Sequence, residues 1–302
     1  MFSLSDATIK QYGGTYQKWW KYCQEKHVSL YNASVFQIMN FLQTLIDNSD
    51  CNYSSFNTHR SAISLISLDS IGTNPLLKRF LKGISRKRPQ APRYNYTWDP
   101  QPVLKYLGSL EENSLKNVSK KLATLLALIT GGRLQTLSLI RLSNIQIKEE
   151  KIQIFISDFI KTSLSLKNQP LLNIPFYRDN TKICPATTLI KYIEMTKPLR
   201  NPEDFLFITH KKPHKRATKQ SISRWVKQAL TDSGIDTNIF KPHSTRHSAT
   251  SAAFRAGISM ESICKTAGWS TATSTFAKFY NRPIINSEEF AVKVLNNYSK
   301  GK

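Results

Sequence analysis

Residues 85–100, SRKRPQAPRYNYTWDP, set the strongest limit on what this chain can fold into. Each of their three prolines lacks an N–H and fixes φ, and no helical period runs through the stretch. A hydrophobic core cannot continue across it, so the chain builds one core before it and another after it. The 302 residues, 40% of them hydrophobic, suffice for both. The expected organisation is a small helical domain at 1–85, a basic Pro-containing linker at 86–99 and a second domain at 100–302.

On the first side, Tyr12, Tyr16, Trp19 and Cys23 recur every three or four residues, as do Val35, Ile38, Leu42 and Leu45. Both rows are amphipathic helices. A third helix, YSSFNTHRSAISLI, turns Phe56, Ile63 and Ile66 inward and leaves Ser54, Ser55, Asn57, Thr58 and Arg60 on its other side. That polar side is either solvated or set against phosphates through short hydroxyl and amide donors.

The second domain opens with helices, one carrying Leu122, Leu125, Leu126 and Ile129 on one stripe and stopped by Gly131 and Gly132, with Arg133 directly after the stop. The alternating NIQI, KIQIFI and PLLNIPF then predict a three-stranded antiparallel sheet. Lys161, in FIKTSLS, falls in the connection between the last two strands. From Cys184 onward the chain reads as helical, interrupted by the basic loop HKKPHKRATK. The fold class is thus mainly α with a small antiparallel sheet (α+β).

Lys and Arg number 43 against 20 Asp and Glu, a formal charge of +23, and a field of that sign attracts polyanions. Nucleic acid leads as partner; an anionic membrane surface comes second. No apolar run approaches the roughly 20 residues that span a bilayer, and the first residues lack the basic-then-apolar order of a secretory signal, so a soluble intracellular protein is expected. The clusters Arg86, Lys87, Arg88 and Lys211, Lys212, Lys215, Arg216 suit phosphate tracking by counterion release, or nuclear import. Cys23, Cys51, Cys184 and Cys264 lie far apart without a Cys-x-x-Cys pair, which speaks against a zinc site or disulfide framework and for free buried thiols.

The chemistry concentrates near the C-terminal end. In KPHSTRHSATSAAFRAG the apolar residues resume only after Ser248, so His243 and Arg246 stand at a helix entry, three residues apart and on one face. His247 is one step, about 100°, round the helix and takes a packing or hydrogen-bonding role. Beyond it comes a short helix ending at Gly268, then Trp269, then a helix that brings Tyr280 to its last turn before Pro283.

Arg133 after LITGG, Lys161 in KT, then HSTR, GW and FAKFY stand in the order and approximate spacing of the tyrosine recombinase (integrase) family, which the chain resembles over nearly its whole length. The wording YSSFNTHRSAIS, TWDP and AGWS…STFAKFY is most similar to recombinases of the eukaryotic DIRS, Ngaro and Crypton mobile elements. The resemblance implies a core-binding domain followed by an integrase-type catalytic domain. It implies that Arg133 and Arg246 grip a scissile phosphate, that Tyr280 attacks it, that Lys161 protonates the departing 5′-hydroxyl, and that His243 and Trp269 complete the ring. It further implies double-stranded DNA as substrate, a homodimer on a site and a homotetramer when two sites pair, action in the nucleus, and no metal, cofactor or membrane.

The residue chemistry fits independently of the family. Two planar guanidinium forks bind nonbridging phosphoryl oxygens without a metal, and a phenol of pKa near 10 needs neighbouring cations and a proton acceptor to react near neutrality. Trp269 only donates, so it stabilises an oxygen but transfers no proton, in contrast to the histidine many members carry there. Thr136 stands where phage and bacterial members usually place a carboxylate, so the group that normally orients the site is replaced or moved. Singly each residue also has a structural reading: Arg133 as a helix-dipole partner, Trp269 as a core aromatic, Lys161 as a solvated turn residue, Tyr280 as part of an aromatic pair with Phe279. A recombinase-derived DNA-binding regulator that does not cleave, and a type IB topoisomerase-like relaxing activity, are the alternative functions. Residues 286–302 read as an amphipathic helix that closes its own core or docks on a neighbouring protomer.

Overall fold

The computed structural model describes residues 4–89, 94–160, 169–200, 202–269 and 282–283. The chain divides into two compact units, Met1–Pro92 and Arg93–Lys302.

The first unit contains α1 (Asp6–Lys26), α2 (Val35–Asp47), α3 (Tyr53–Ile66) and α4 (Pro75–Lys87). Short polar side chains start three of them by accepting otherwise orphaned N–H groups. Ser5 caps α1, Ser34 and Gln37 form a reciprocal capping box at α2, and Asn74 accepts from Leu76 and Leu77 at α4. The sequence-predicted rows meet in one core, where Trp19, Cys23, Ile38, Leu42, Phe56 and Ile63 pack with Phe41, Leu77, Leu81 and Ile84. Of residues 86–99, read as linker, Arg86 and Lys87 complete the last turn of α4. At the other end, Thr97 and Trp98 are buried in the second unit, because an indole this large gains more from burial than from exposure.

In the second unit α5 (Pro100–Ser109), α6 (Leu115–Thr130) and α7 (Leu134–Leu137) precede the sheet β1 (Ile145–Ile147), β2 (Lys151–Phe155) and β3 (Leu171–Pro175). The helices α8 (Pro185–Thr196), α9 (Lys219–Asp232), α10 (Ser244–Arg255) and α11 (Met260–Ala267) follow. The sheet is antiparallel in the order β1-β2-β3, with Ile152 opposite Ile174 and Ile154 opposite Leu172. Those four side chains are buried on one face, which lies on the core beside α6 and α8 as the period-two alternation requires.

α6 is the central element, touched by α5, α8, α9, α10 and β3. It is buried on all sides from Val118 to Leu128, so the single stripe expected from Leu122, Leu125 and Leu126 is too narrow, and Ile129 is a correction, lying at the surface with 36% exposed. Enclosure forces two lysines inside. Lys120 Nζ donates to Asp232 at 2.7 Å and to the Tyr106 hydroxyl at 2.6 Å. Lys121 meets Glu112 at 2.7 Å, whose other oxygen takes Lys191 at 2.9 Å. All four cysteines are free; Cys51 is exposed, because it sits in the short turn between α2 and α3, and corrects the expectation of buried thiols throughout. No helix among the described residues is long and apolar enough to cross a membrane.

Removing Asp232 leaves the buried Lys120 ammonium with the Tyr106 hydroxyl, and because Asp232 itself lies at the surface, water offsets part of the loss. Asp232→Ala should therefore lower unfolding free energy by about 1–2 kcal/mol in a denaturant titration. The double variant Lys120→Met, Asp232→Leu should recover most of it.

Candidate active site

α6 ends because Gly131 adopts the left-handed conformation, φ +52°, where a Cβ would also meet the Thr250 methyl at 3.3 Å. The chain reverses there, and Arg133 becomes the half-buried N-cap residue of α7, its carbonyl accepting from the Thr136 N–H at 2.8 Å. Thr136 itself is buried on that short helix.

α10 begins in the turn that Lys241 and Pro242 close: their carbonyls accept from the Ser244 N–H at 2.7 Å and the Thr245 hydroxyl at 2.8 Å. His243 is the N-cap residue, and Arg246 follows within the first turn, pointing inward and 1% exposed. Its Nη1 donates to the Gly131 carbonyl at 2.6 Å and its Nη2 to the Ala267 carbonyl at 2.8 Å. The second carbonyl ends α11, after which Gly268, φ +65°, turns the chain and the Trp269 N–H bonds back to Cys264. That turn carries the Trp269 ring over the Arg246 guanidinium, 4.1 Å from its centroid. Two helix C-termini and an indole thus fix the plane of one cation.

His243 is exposed at the entry of α10, with its ring edge-on to that of His247. Desolvation first, then the charges of Arg246, Arg133 and Lys219, hold its pKa below the ordinary histidine value. His247 lies edge-on to the Tyr94 ring at 5.6 Å and to His243 at 5.9 Å, the packing role expected from its position round the helix. The structure therefore packs Trp269 on Arg246, sets His243 at the entry of the helix that carries Arg246, and leaves Arg133 two residues past the Gly131 carbonyl that Arg246 holds. Lys161 and Tyr280 lie outside the described residues, as does the segment 286–302.

The DNA-contact candidates fall into two groups. Lys211, Lys212 and Lys215 are exposed on a tight loop whose Thr209 N–H bonds the Lys215 carbonyl at 2.8 Å, and Arg86 and Lys87 are exposed on the end of α4. Ser55, Asn57 and Thr58 are half-buried on α3. The remaining arginines turn inward. Arg60 Nη1 donates to the Gly72 carbonyl at 2.9 Å, and Arg88 donates to the Ile46, Ser49 and Cys51 carbonyls at the end of α2. Arg216 lies 3.5 Å from the Phe205 ring centroid and donates to the Ser138 carbonyl at 3.1 Å. A forked guanidinium can satisfy several carbonyls at once, which a lysine cannot.

Sequence reasoning missed the residues that hold α10 in place. The Trp98 indole N–H donates to Ser244 Oγ at 2.8 Å and the Ser248 hydroxyl donates to the Trp98 carbonyl at 2.8 Å. An aromatic just before the Asp99 cap of α5 was the available signal. No group of three or more His, Cys, Asp or Glu able to hold a metal occurs among the described residues.

A buried carbonyl that loses its donor costs about 1–3 kcal/mol. Arg246→Ala, which strips two of them, should destabilise the protein by about 2–4 kcal/mol, whereas Arg133→Ala, half-buried at a helix entry, should cost about 1 kcal/mol or less in the same urea titration.

Comparison with known proteins supplies the family. The model of the phage integrase family matches residues 100–284, more than half of the chain. The chain is similar in fold to the lambda integrase bound to DNA, at 17% identity and a TM-score of 0.56, covering 92% of this chain and 89% of that one. It is also similar to the XerH recombinase in a post-cleavage complex with palindromic difH substrate, at 14% identity and 0.59, covering 89% and 72%. A third likeness is to the Tn1549 transposon integrase in complex with circular intermediate DNA, at 13% identity and 0.55, covering 88% and 86%. A search of curated proteins finds no match. With its helical body, its three-stranded sheet and the family model lying across α5 to α11, the chain belongs to the phage integrase family and is a tyrosine recombinase.

Proposed function

We propose that this recombinase cuts and rejoins double-stranded DNA through a 3′-phosphotyrosyl intermediate at Tyr280. The observation that carries the reading is the fixed guanidinium of Arg246, with His243 at the entry of the same helix and Arg133 two residues past the Gly131 carbonyl that Arg246 holds. A preoriented fork of this kind stabilises negative charge as it grows on nonbridging oxygens, without reorganising during the step. Removing one such donor typically costs about a hundred- to a thousandfold in rate.

The Tyr280 oxygen forms a bond to phosphorus while the bond from phosphorus to the 5′-oxygen breaks. The phenolic proton passes to the neutral imidazole of His243, and Lys161 supplies a proton to the leaving 5′-oxygen. Trp269 shields Arg246 from water and keeps its plane fixed. Arg282, two residues beyond Tyr280, supports this arrangement: its backbone N–H donates to Ser251 Oγ at 3.1 Å on the same helix that carries Arg246. The phosphotyrosine conserves the energy of the broken bond, so rejoining needs no nucleotide.

Lys211, Lys212, Lys215, Arg86 and Lys87, all exposed, track the DNA backbone, and the helical first unit serves as a core-binding domain. The protein acts as a dimer on one site and a tetramer on two, in the nucleus, for a mobile element of the DIRS, Ngaro or Crypton kind.

A nicked suicide duplex tests the intermediate. The wild-type protein should form a covalent complex in EDTA, and Tyr280→Phe should form none while binding the duplex within threefold. Tight binding without any covalent complex from the wild type would instead favour the non-cleaving regulator. The pH profile tests His243. Its lowered pKa keeps the imidazole neutral at pH 7, and falling pH charges it only below the ordinary value of about 6.5. The acid limb of the cleavage rate should therefore lie below pH 6.5, with the rate lost as pH falls through it, and His243→Gln should remove that limb.

A further inference from the structure

We infer that Arg282 is a positioning residue for the nucleophile, which it holds by clamping the chain just beyond Tyr280 between α10 and the segment that precedes α5. The inference rests on the reading of Tyr280 given above and adds to it a residue that does not touch the phosphate. Four bonds converge on two consecutive residues. The Arg282 N–H donates to Ser251 Oγ at 3.1 Å, and the Arg282 carbonyl accepts from Arg255 Nη1 at 3.1 Å. Arg282 Nη1 donates to the Tyr94 carbonyl while its guanidinium lies 4.8 Å from the centroid of the Tyr94 ring. The Pro283 carbonyl accepts from the Thr97 N–H at 2.8 Å.

Ser251 and Arg255 stand one turn apart on α10. Tyr94 and Thr97 are anchored to the same helix, through the Tyr94 ring against His247 and through Trp98 on Ser244 and Ser248. The clamp and the phosphate-binding Arg246 thus share one rigid support. A backbone held at Arg282 by an N–H, a carbonyl and a side chain cannot slide along α10, and two peptide links are about 7.6 Å at most, at about 3.8 Å per step. A fixed anchor at that range decides whether the phenol oxygen meets phosphorus in line, and an offset of about 1 Å in such a geometry costs about a hundredfold. Tyr94 is the second residue of the catalytic unit, so the clamp fastens the nucleophile's chain to the entry of that unit.

The experiment compares wild type, Arg282→Ala, Arg282→Lys and Ser251→Ala as full-length proteins on the nicked suicide duplex at saturating concentration. Single-turnover cleavage by Arg282→Ala should fall about 10- to 100-fold with DNA affinity within about threefold. Arg282→Lys, which keeps a cation over Tyr94 and one donor, should recover part of the loss. Ser251→Ala, which removes the acceptor of the Arg282 N–H and leaves the Arg282 side chain intact, should slow cleavage by a smaller factor. Religation separates positioning from general damage. Once the phosphotyrosine exists, the nucleophile is held by a covalent bond, so a strand with a free 5′-hydroxyl should be rejoined by Arg282→Ala within about threefold of the wild-type rate.

Cleavage at the wild-type rate by Arg282→Ala, or an equal loss of cleavage and religation, would overturn the inference. If Arg282→Ala does not fold, Ser251→Ala decides, and an unchanged rate there overturns it. A wild-type protein that binds the duplex and forms no adduct would overturn the Tyr280 reading first and the clamp with it, which is distinguishable from a wild-type protein that reacts and a variant that does so unimpaired.

Discussion

A single buried guanidinium holds the catalytic unit's functional end together. Arg246 lies between the last carbonyls of α6 and α11 and under the Trp269 ring. Both helices point their negative ends at it, and both end in a left-handed glycine, which lets the chain turn away at once and leaves those carbonyls aimed inward. The bonds that hold α6 and α11 to α10 thus also fix the plane of the cation proposed to meet a phosphate.

The residues proposed for the site sit at the ends of elements whose middles do the packing. Arg133 is the N-cap residue of α7, His243 that of α10, and Trp269 follows the cap of α11. α6 sits behind them, enclosed on every side. A helix end offers N–H or carbonyl groups and a change of chain direction within a few residues, while its body supplies rigidity. Bringing several ends to one point lets distant sequence positions meet with little freedom to drift.

What was legible in the sequence were local signals. Glycines mark the ends of α6 and α11, alternation marks three strands, and the break after His243 marks the entry of α10, because each is set by neighbours within a few residues. Partners distant in sequence were not legible. Nothing near Lys120 announces Asp232, and nothing near Arg88 announces the end of α2. Arg88 and Arg216 read as members of basic surface clusters and Arg60 as part of the polar side of α3, yet each turns its fork to a backbone carbonyl. The polar pattern of α3 gave the right face for the apolar side chains, while the longest polar one reaches past its own helix to the Gly72 carbonyl, a partner its neighbours in sequence do not announce.

The same accounting explains how a chain of charge +23 stays folded and keeps its field. Four of the described carboxylates are committed to partners within the fold. Asp232 holds Lys120, Glu112 joins Lys121 and Lys191, Asp158 pairs with Arg141, and Asp99 caps α5. An acid paired in this way does little to neutralise the lysines elsewhere on the surface. The lysines left exposed, such as Lys211, Lys212 and Lys215, then face outward without nearby acidic partners of their own among the described ion pairs. Such a surface repels itself until a polyanion covers it, so the electrostatic tension that limits the free protein's stability becomes the attraction that brings it to DNA.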